Sequence, residues 1–303
     1  MIDQIIHMSV YILMPPLLFG IMNKTKAYLA GRRGAPLLQP YYDLIRLFKK
    51  KMVISSTTTW VFYAGPIVTM LAVIVAGLLM PLGQSHAIIS FTGDFILFAY
   101  LFALARFFTT IAAMDTGSAF EGMGVAREMT FSAIIEPGLF FAFLVFVKLS
   151  GSMSLTVMLQ RNLYGSINQN NFAPLVMVII GLSIILLAEN SRIPVDDPNT
   201  HLELTMIHEA MVLDHSGPLL GLIEYAANVK FFILSSLLCT VIVPIFSSDG
   251  WLSWLGFLTG IILISFMVGI VESIMARLRM SRVTILLFSA FLLCGSAVII
   301  FER

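Results

Sequence analysis

Residues 172–217 read FAPLVMVIIGLSIILLAENSRIPVDDPNTHLELTMIHEAMVLDHSG. The first part, Phe172–Ala188, is an apolar run. From Ala188 to Gly217 follows the most charged stretch of the chain, where Glu189, Asp196, Asp197, Glu203, Glu209 and Asp214 face one cation, Arg192, and three histidines. A second apolar run begins near Lys230. Carboxylates packed this densely at the edge of a membrane are costly to keep there, so they mark an ion path, a polar cavity or a docking surface.

Working outward, the composition agrees with a membrane setting. Of 303 residues, 58% are hydrophobic and only 12% charged, and mean hydropathy is +0.94. Soluble domains carry about a quarter charged residues, so the chain reads as a multi-span membrane protein. Net charge of +1 argues against a nucleic-acid surface. The only cysteines, Cys239 and Cys294, sit inside apolar runs, which excludes an iron–sulfur cluster held by this chain alone. The first hydrophobic run holds Pro15-Pro16 and lacks a basic lead, so it reads as a retained span.

Eight runs approach the length of about 20 apolar residues needed to cross a bilayer as helices. They are Ile5–Met22, Val61–Met80, Phe95–Met114, Met129–Val147, Phe172–Ala188, Phe231–Phe246, Trp251–Val271 and Val283–Phe301. The fifth and sixth are short and are expected to extend into their flanking polar segments. The predicted fold is all-α: a single transmembrane domain over residues 1–303, with a first cytoplasmic loop at 23–60 and an acidic loop at 189–228. Lys24, Lys26, Arg32, Arg33, Arg46 and Lys49–Lys51 follow span 1, and Arg127, Arg192, Arg277, Arg279 and Arg282 follow spans 3, 5 and 7. The positive-inside rule therefore places odd-numbered loops in the cytoplasm and both termini outside.

In the first loop, LLQPYYDLIRLFKKK (37–51) puts Leu38, Tyr41, Leu44, Ile45 and Phe48 on one helical face, with Pro40 in the first turn. That pattern predicts an amphipathic helix lying in the membrane interface. A plain basic anchor is the alternative.

Span 3 carries Arg106 and leads into a glycine-broken loop, Met114–Glu128, with Asp115, Glu121, Arg127 and Glu128. Glu136, followed by Pro137, lies inside span 4. A carboxylate there either faces a cavity and carries protons or is a neutral, hydrogen-bonded structural group. Glu224 and Lys230 could pair at the start of span 6. Glu272, Arg277 and Arg279 read first as interfacial anchoring and second as docking of a cytoplasmic subunit.

Among candidate chemistries, His201, His208 and His215 form no compact metal-ligand motif, and no metal site is assigned. No nucleophile elbow or phosphate-cradling loop is present. Glu136, Glu189, Glu224, Asp196, Glu203 and Asp214 suit a water-bridged proton path, in which each charge shifts its neighbours' affinity for protons. Such a path needs a driver, and the energy must come from a partner.

These motifs resemble the eight-span membrane subunit that joins the peripheral and membrane arms of respiratory complex I and of energy-converting nickel–iron hydrogenases. GRRGAPLLQPYYDLIRLFKK resembles the family's first loop, and AENSRIPVD its acidic loop after span 5. Asp214-His-Ser-Gly217, Glu224-Tyr225 and the paired Arg127 and Glu136 match further. YLFALARFFTTIAAMDTGSAFEGMGVARE and ESIMARLRM are most similar to the formate hydrogenlyase and hydrogenase-4 branch. Gly34-Ala35-Pro36 and Asp197–His201 depart from the family pattern.

The resemblance implies a subunit with no redox centre of its own, in the inner membrane. Its partners would be a hydrogenase-like large subunit, iron–sulfur subunits and antiporter-like membrane subunits. Nickel–iron and iron–sulfur centres would lie in those partners, with quinone a candidate ligand. Arg127, Arg192, Lys230, Asp115 and Glu128 would set local potential, and Arg32, Arg33, Gln39, Tyr41 and Asp43 would serve docking or line a chamber. A quinone-chamber subunit is the second hypothesis. The third, from another class, is a self-contained ion transporter, against which stands the absence of any repeat between the halves.

Overall fold

A computed structural model of the chain describes residues 2–83, 85–160, 172–197, 206–242 and 250–301. These form eleven α-helices: α1 (Ile2–Leu29), α2 (Gln39–Lys49), α3 (Trp60–Leu79), α4 (Asp94–Asp115), α5 (Ala119–Ser150), α6 (Leu155–Gln160), α7 (Phe172–Glu189), α8 (His208–Met211), α9 (Gly217–Ile242), α10 (Gly250–Ile274) and α11 (Met280–Ile300). There is no strand among the described residues. Eight of the helices are long and apolar enough to cross a membrane. The chain is a multi-pass, all-α membrane protein.

The polar extensions of the spans are helical because a hydropathy pattern follows the lipid boundary and not the backbone. α9 begins at Gly217, so residues 218–228, assigned from sequence to the acidic loop, are helix. α5 begins at Ala119, so most of the stretch read as a glycine-broken loop is its first turns. Glu136 consequently lies at mid-helix. α1 continues to Leu29. Each extension buries part of its surface on neighbours, as at Thr25, Glu121 and Leu219.

α9 is the axis of the bundle, and 78% of its most apolar window is buried. It packs against α1, α2, α3, α7 and α10; α4 leans on α3 and α5, and α11 closes the far side against α5 and α7. The core is built from large side chains such as Phe98, Phe143, Phe146, Phe231 and Phe232, all essentially inaccessible. The loops before α3, α5, α9 and α11 gather on one face, here called the loop face.

Backbone and side-chain bonds knit the loop face. Thr59 donates to Asp115 through its N–H at 2.6 Å and its hydroxyl at 2.8 Å. The Ser216 hydroxyl accepts from the Val53 N–H and donates to the Val53 carbonyl, both at 3.0 Å. Gly217 has φ +56° and a Cβ built there would sit 2.9 Å from the Lys51 carbonyl oxygen, so glycine is required on both grounds. On the opposite face Asp94 accepts from the Leu155 N–H at 2.5 Å and from Ser154 at 3.2 Å.

α2 forms where its amphipathic pattern predicts, with Pro40 in the first turn. It lies against α1 and α9 with Leu44 buried and Tyr42, Ile45 and Phe48 exposed.

Candidate functional site

Arg106 sits inside α4, 7% exposed, in a run that is otherwise apolar. A guanidinium held there needs acceptors, and three helices supply them. Its Nε donates to Glu128 at 3.1 Å. Nη1 pairs with Glu136 and Nη2 with Glu189. Glu128 and Glu136 come from α5 and Glu189 from the last turn of α7. Lys230 of α9 closes the group, with Nζ 2.6 Å from the other Glu189 oxygen. Two cations and three carboxylates from four helices thus meet inside the bundle.

Glu136 differs from its companions. Its side chain is 41% exposed against 5% for Glu189, and it opens onto an apolar groove between α4 and α5 lined by Leu97, Tyr100, Leu104, Phe107 and Met129. The cluster therefore reaches the outer wall of the bundle at Glu136 and the loop face through Glu189.

Beyond Glu189 the chain turns sharply, with Ser191 at φ +50°, and buries Arg192. Arg192 lies 4.2 Å over the ring of Phe19 and pairs with Glu272 at 3.5 Å, which in turn holds Lys26 at 2.8 Å. Burial pulls the Arg192 guanidinium below its ordinary proton affinity, and the Glu272 carboxylate opposes that pull. Asp196 is 1% exposed. It pairs with Arg277 at 2.9 Å and accepts from the N–H groups of Asp197, Ile207 and His208. Burial pushes its carboxyl up, while Arg277 and those donors pull it down. Glu272 and Arg277 are thus bolts of the acidic loop, a role the sequence reading of plain anchoring did not anticipate.

The remaining sequence candidates scatter. Glu224 is exposed on a cavity of about 290 Å³ between α1, α2 and α9, which Asp43, Arg192, Asp196, His208 and Glu209 also line. Lys230, expected beside Glu224, instead reaches across to Glu189. Arg127 donates to the Met206 carbonyl at 2.8 Å. Asp115 holds Thr59. The Asp214 side chain is exposed, and its N–H donates to the fully buried Glu121 at 3.2 Å. Gln39 donates to Asp43 at 2.8 Å, and Tyr41 donates to the Leu13 carbonyl. Partial burial raises the Tyr41 phenol. Arg32 and Arg33 are exposed. Glu203 and His201 lie outside the described residues. Among the described residues no group of His, Cys, Asp and Glu could hold a metal.

Arg106 is the residue that sequence reasoning left without a role. The available signal was a lone arginine in an apolar run, which states that acceptors exist without saying on which helices.

Comparisons with known proteins fit this architecture. Formate hydrogenlyase subunit 4 of Escherichia coli (strain K12) is 28% identical over 277 residues, covering 88% of this chain and 87% of its own. Hydrogenase-4 component C of the same organism is 28% identical over 235 residues, covering 78% and 73%. A subunit of the NADH-quinone oxidoreductase of Polaromonas naphthalenivorans (strain CJ2) is 25% identical, covering 76% and 68%. The fold matches a chain of the membrane-bound sulfane sulfur reductase, an archaeal respiratory membrane complex, with TM-score 0.82, 20% identity and coverage of 98% and 97%. A family model described as NADH dehydrogenase matches residues 2–302. The chain belongs to the NADH dehydrogenase family.

Proposed function

We propose that this chain is a membrane subunit of a complex I-like, energy-converting complex of the formate hydrogenlyase and hydrogenase-4 type. It docks a cytoplasmic redox arm through its loop face and converts changes there into proton movement through the buried carboxylates. On this reading the loop face is cytoplasmic and both termini lie on the outer side of the inner membrane. The partners are a hydrogenase-like large subunit, iron–sulfur subunits and antiporter-like membrane subunits, which hold the nickel–iron and iron–sulfur centres. The relatives' names support this setting.

The observation that carries the reading is the Arg106 cluster. Glu189 joins it to the acidic loop, and Glu136 carries it to the outer wall. A shift of the loop alters the charge next to Glu189, and a neighbour's charge changes the proton affinity of every carboxylate coupled to it. Asp214 belongs to the docking side, with Arg127 and Arg192 setting potential, and Glu203, outside the described residues, is assigned from sequence to the same acidic loop. Affinity purification in mild detergent with mass spectrometry tests the setting. Co-purification of a large subunit carrying nickel-ligand cysteines supports it, and a lone, stable, monodisperse chain contradicts it.

A second reading has one specific support. Arg192 lines the cavity between α1, α2 and α9, and its buried Nε has no hydrogen-bond partner among the described residues. An acceptor such as a quinone carbonyl would satisfy it. Labelling of Tyr41 or residues 190–216 by a quinone photo-crosslinker supports this reading, and no labelling at saturating probe contradicts it.

A further inference from the structure

The Arg106 cluster and the Glu224 cavity are separate spaces with a common wall. The first is a cavity of about 70 Å³ bordered by Arg106, Glu128, Glu189 and Lys230. The second, of about 290 Å³, is bordered by Asp43, Asp196, Glu209 and Glu224. Each exceeds the roughly 10–15 Å³ needed to seat a water, and each offers polar partners. Asn190, Ser191, His208, Ile223 and Ala227 line both. Of these five only His208 carries an imidazole, whose two ring nitrogens can accept a proton on one side and donate one on the other. Ile223 and Ala227 are apolar, the Ser191 hydroxyl and the Asn190 amide do not exchange protons as acid and base in water's range, and the Asn190 NH2 already donates to the Leu186 carbonyl at 2.8 Å.

The segment that carries His208 is fixed. The Asp196 carboxylate receives the N–H groups of Ile207 at 3.0 Å and His208 at 3.3 Å. α8 rests on α5 and α4. Asp196 is itself pinned by Arg277. His208 is half-buried.

We infer that His208 is the proton relay between the cavity at Glu224 and the Arg106 cluster. This rests on the proton-path reading above and names the step that reading lacks. One ring nitrogen accepts a proton arriving from the carboxylate side of one cavity. The other nitrogen releases its own proton to the carboxylates of the second. The ring then returns to its starting tautomer by rotation, which carries the newly bound proton toward the second cavity and leaves no net change in the ring's bonds. The acids that face it are Asp43, Asp196, Glu209 and Glu224 on one side and Glu128 and Glu189 on the other; the cations are Arg192, Arg106 and Lys230. The anchorage also makes the relay responsive to docking, because any movement of the Asp196–Arg277 tie moves the ring against both cavities.

The test uses the intact complex reconstituted in liposomes, with redox turnover and proton translocation measured separately. His208→Gln keeps hydrogen-bonding capacity but cannot carry a proton, and His208→Ala leaves room for free imidazole. Both are expected to lower translocation by about a hundredfold, the lower range for a positioned proton-transfer side chain. Imidazole in the buffer is expected to restore His208→Ala and leave His208→Gln unchanged. Glu189→Gln, run alongside, is expected to stop translocation without imidazole rescue. Wild-type translocation by both His208 variants with Glu189→Gln inactive overturns the relay and leaves the carboxylate path standing. Wild-type translocation by all three overturns the path itself. A loss in His208→Ala that imidazole does not restore, in a complex with all subunits present, assigns His208 a structural role and also overturns the relay.

Discussion

Arg106 and Glu189 are 83 residues apart in the chain, yet their side chains pair within the bundle. Neither α4 nor α7 could bury its charge alone. The contact makes each helix conditional on the other, and Glu128, Glu136 and Lys230 extend the dependence to α5 and α9.

Arg106 is therefore the first target. Replacing it with Gln leaves three carboxylates without their shared cation, and breaking a buried pair from one side costs about 3–5 kcal/mol. Arg106→Lys keeps the charge but loses the fork that serves three acceptors, so it recovers only part of the loss. Thermal unfolding in detergent, followed by size-exclusion chromatography, should rank wild type above Lys and Lys above Gln.

Lys230 and Glu189 should be energetically coupled. Groups in one ion-pair network show interaction energies of about 0.5–3 kcal/mol in double-mutant cycles. Lys230→Met, Glu189→Gln and the double variant, compared by thermal unfolding, should give a double-variant loss smaller than the sum of the single losses. Additive losses would mean that the 2.6 Å contact carries no weight.

These two pairings also show where sequence reading stops. The apolar runs placed every span, because lipid selects for hydropathy directly. The same signal stopped short in α5 and α9, whose polar turns are helical and only partly covered by protein. The interfacial helix was legible from Leu44 and its neighbours. The partners of Lys230 were not, since spacing along one helix favoured Glu224 while the side chain crosses to another helix. Arg106, Glu272 and Arg277 were visible as charges but not as contacts. Which charges meet is a property of helix packing, and no local pattern encodes it.

The His215–Phe62 stack should act as a pH-dependent latch. The His215 ring stacks on Phe62 with centroids 4.0 Å apart and is 5% exposed. Burial lowers it from an ordinary 6.5 to about 4, against smaller opposing pulls from the Phe62 backbone and then Asp214. A lowered pKa means that the folded loop prefers the neutral ring. Its contribution is thus fully present above pH 6.5 and lost as the pH falls toward 4. Protection of the amides at residues 206–216, expressed relative to the intrinsic exchange rate at each pH, should fall across that window, and His215→Phe should flatten the dependence.

Gly217→Ala forces a side chain into left-handed backbone and against the Lys51 carbonyl. The conformational part alone costs about 1–2 kcal/mol. The Val53–Ser216 bonds should loosen, so limited proteolysis after Lys51 should accelerate while the rest of the bundle keeps its protection.

The proposed path requires the cluster to carry protons and not merely hold helices together. Its most direct test is the number of protons moved per electron pair by the intact complex carrying Glu136→Gln. Gln keeps the size and hydrogen bonding of Glu136 but cannot lose a proton. A proton-carrying Glu136 gives, on this substitution, a fully assembled complex in which that ratio collapses or turnover stops. A fully assembled complex with the wild-type ratio and rate would contradict it, and so would a complex that fails to assemble, which would make Glu136 a structural residue.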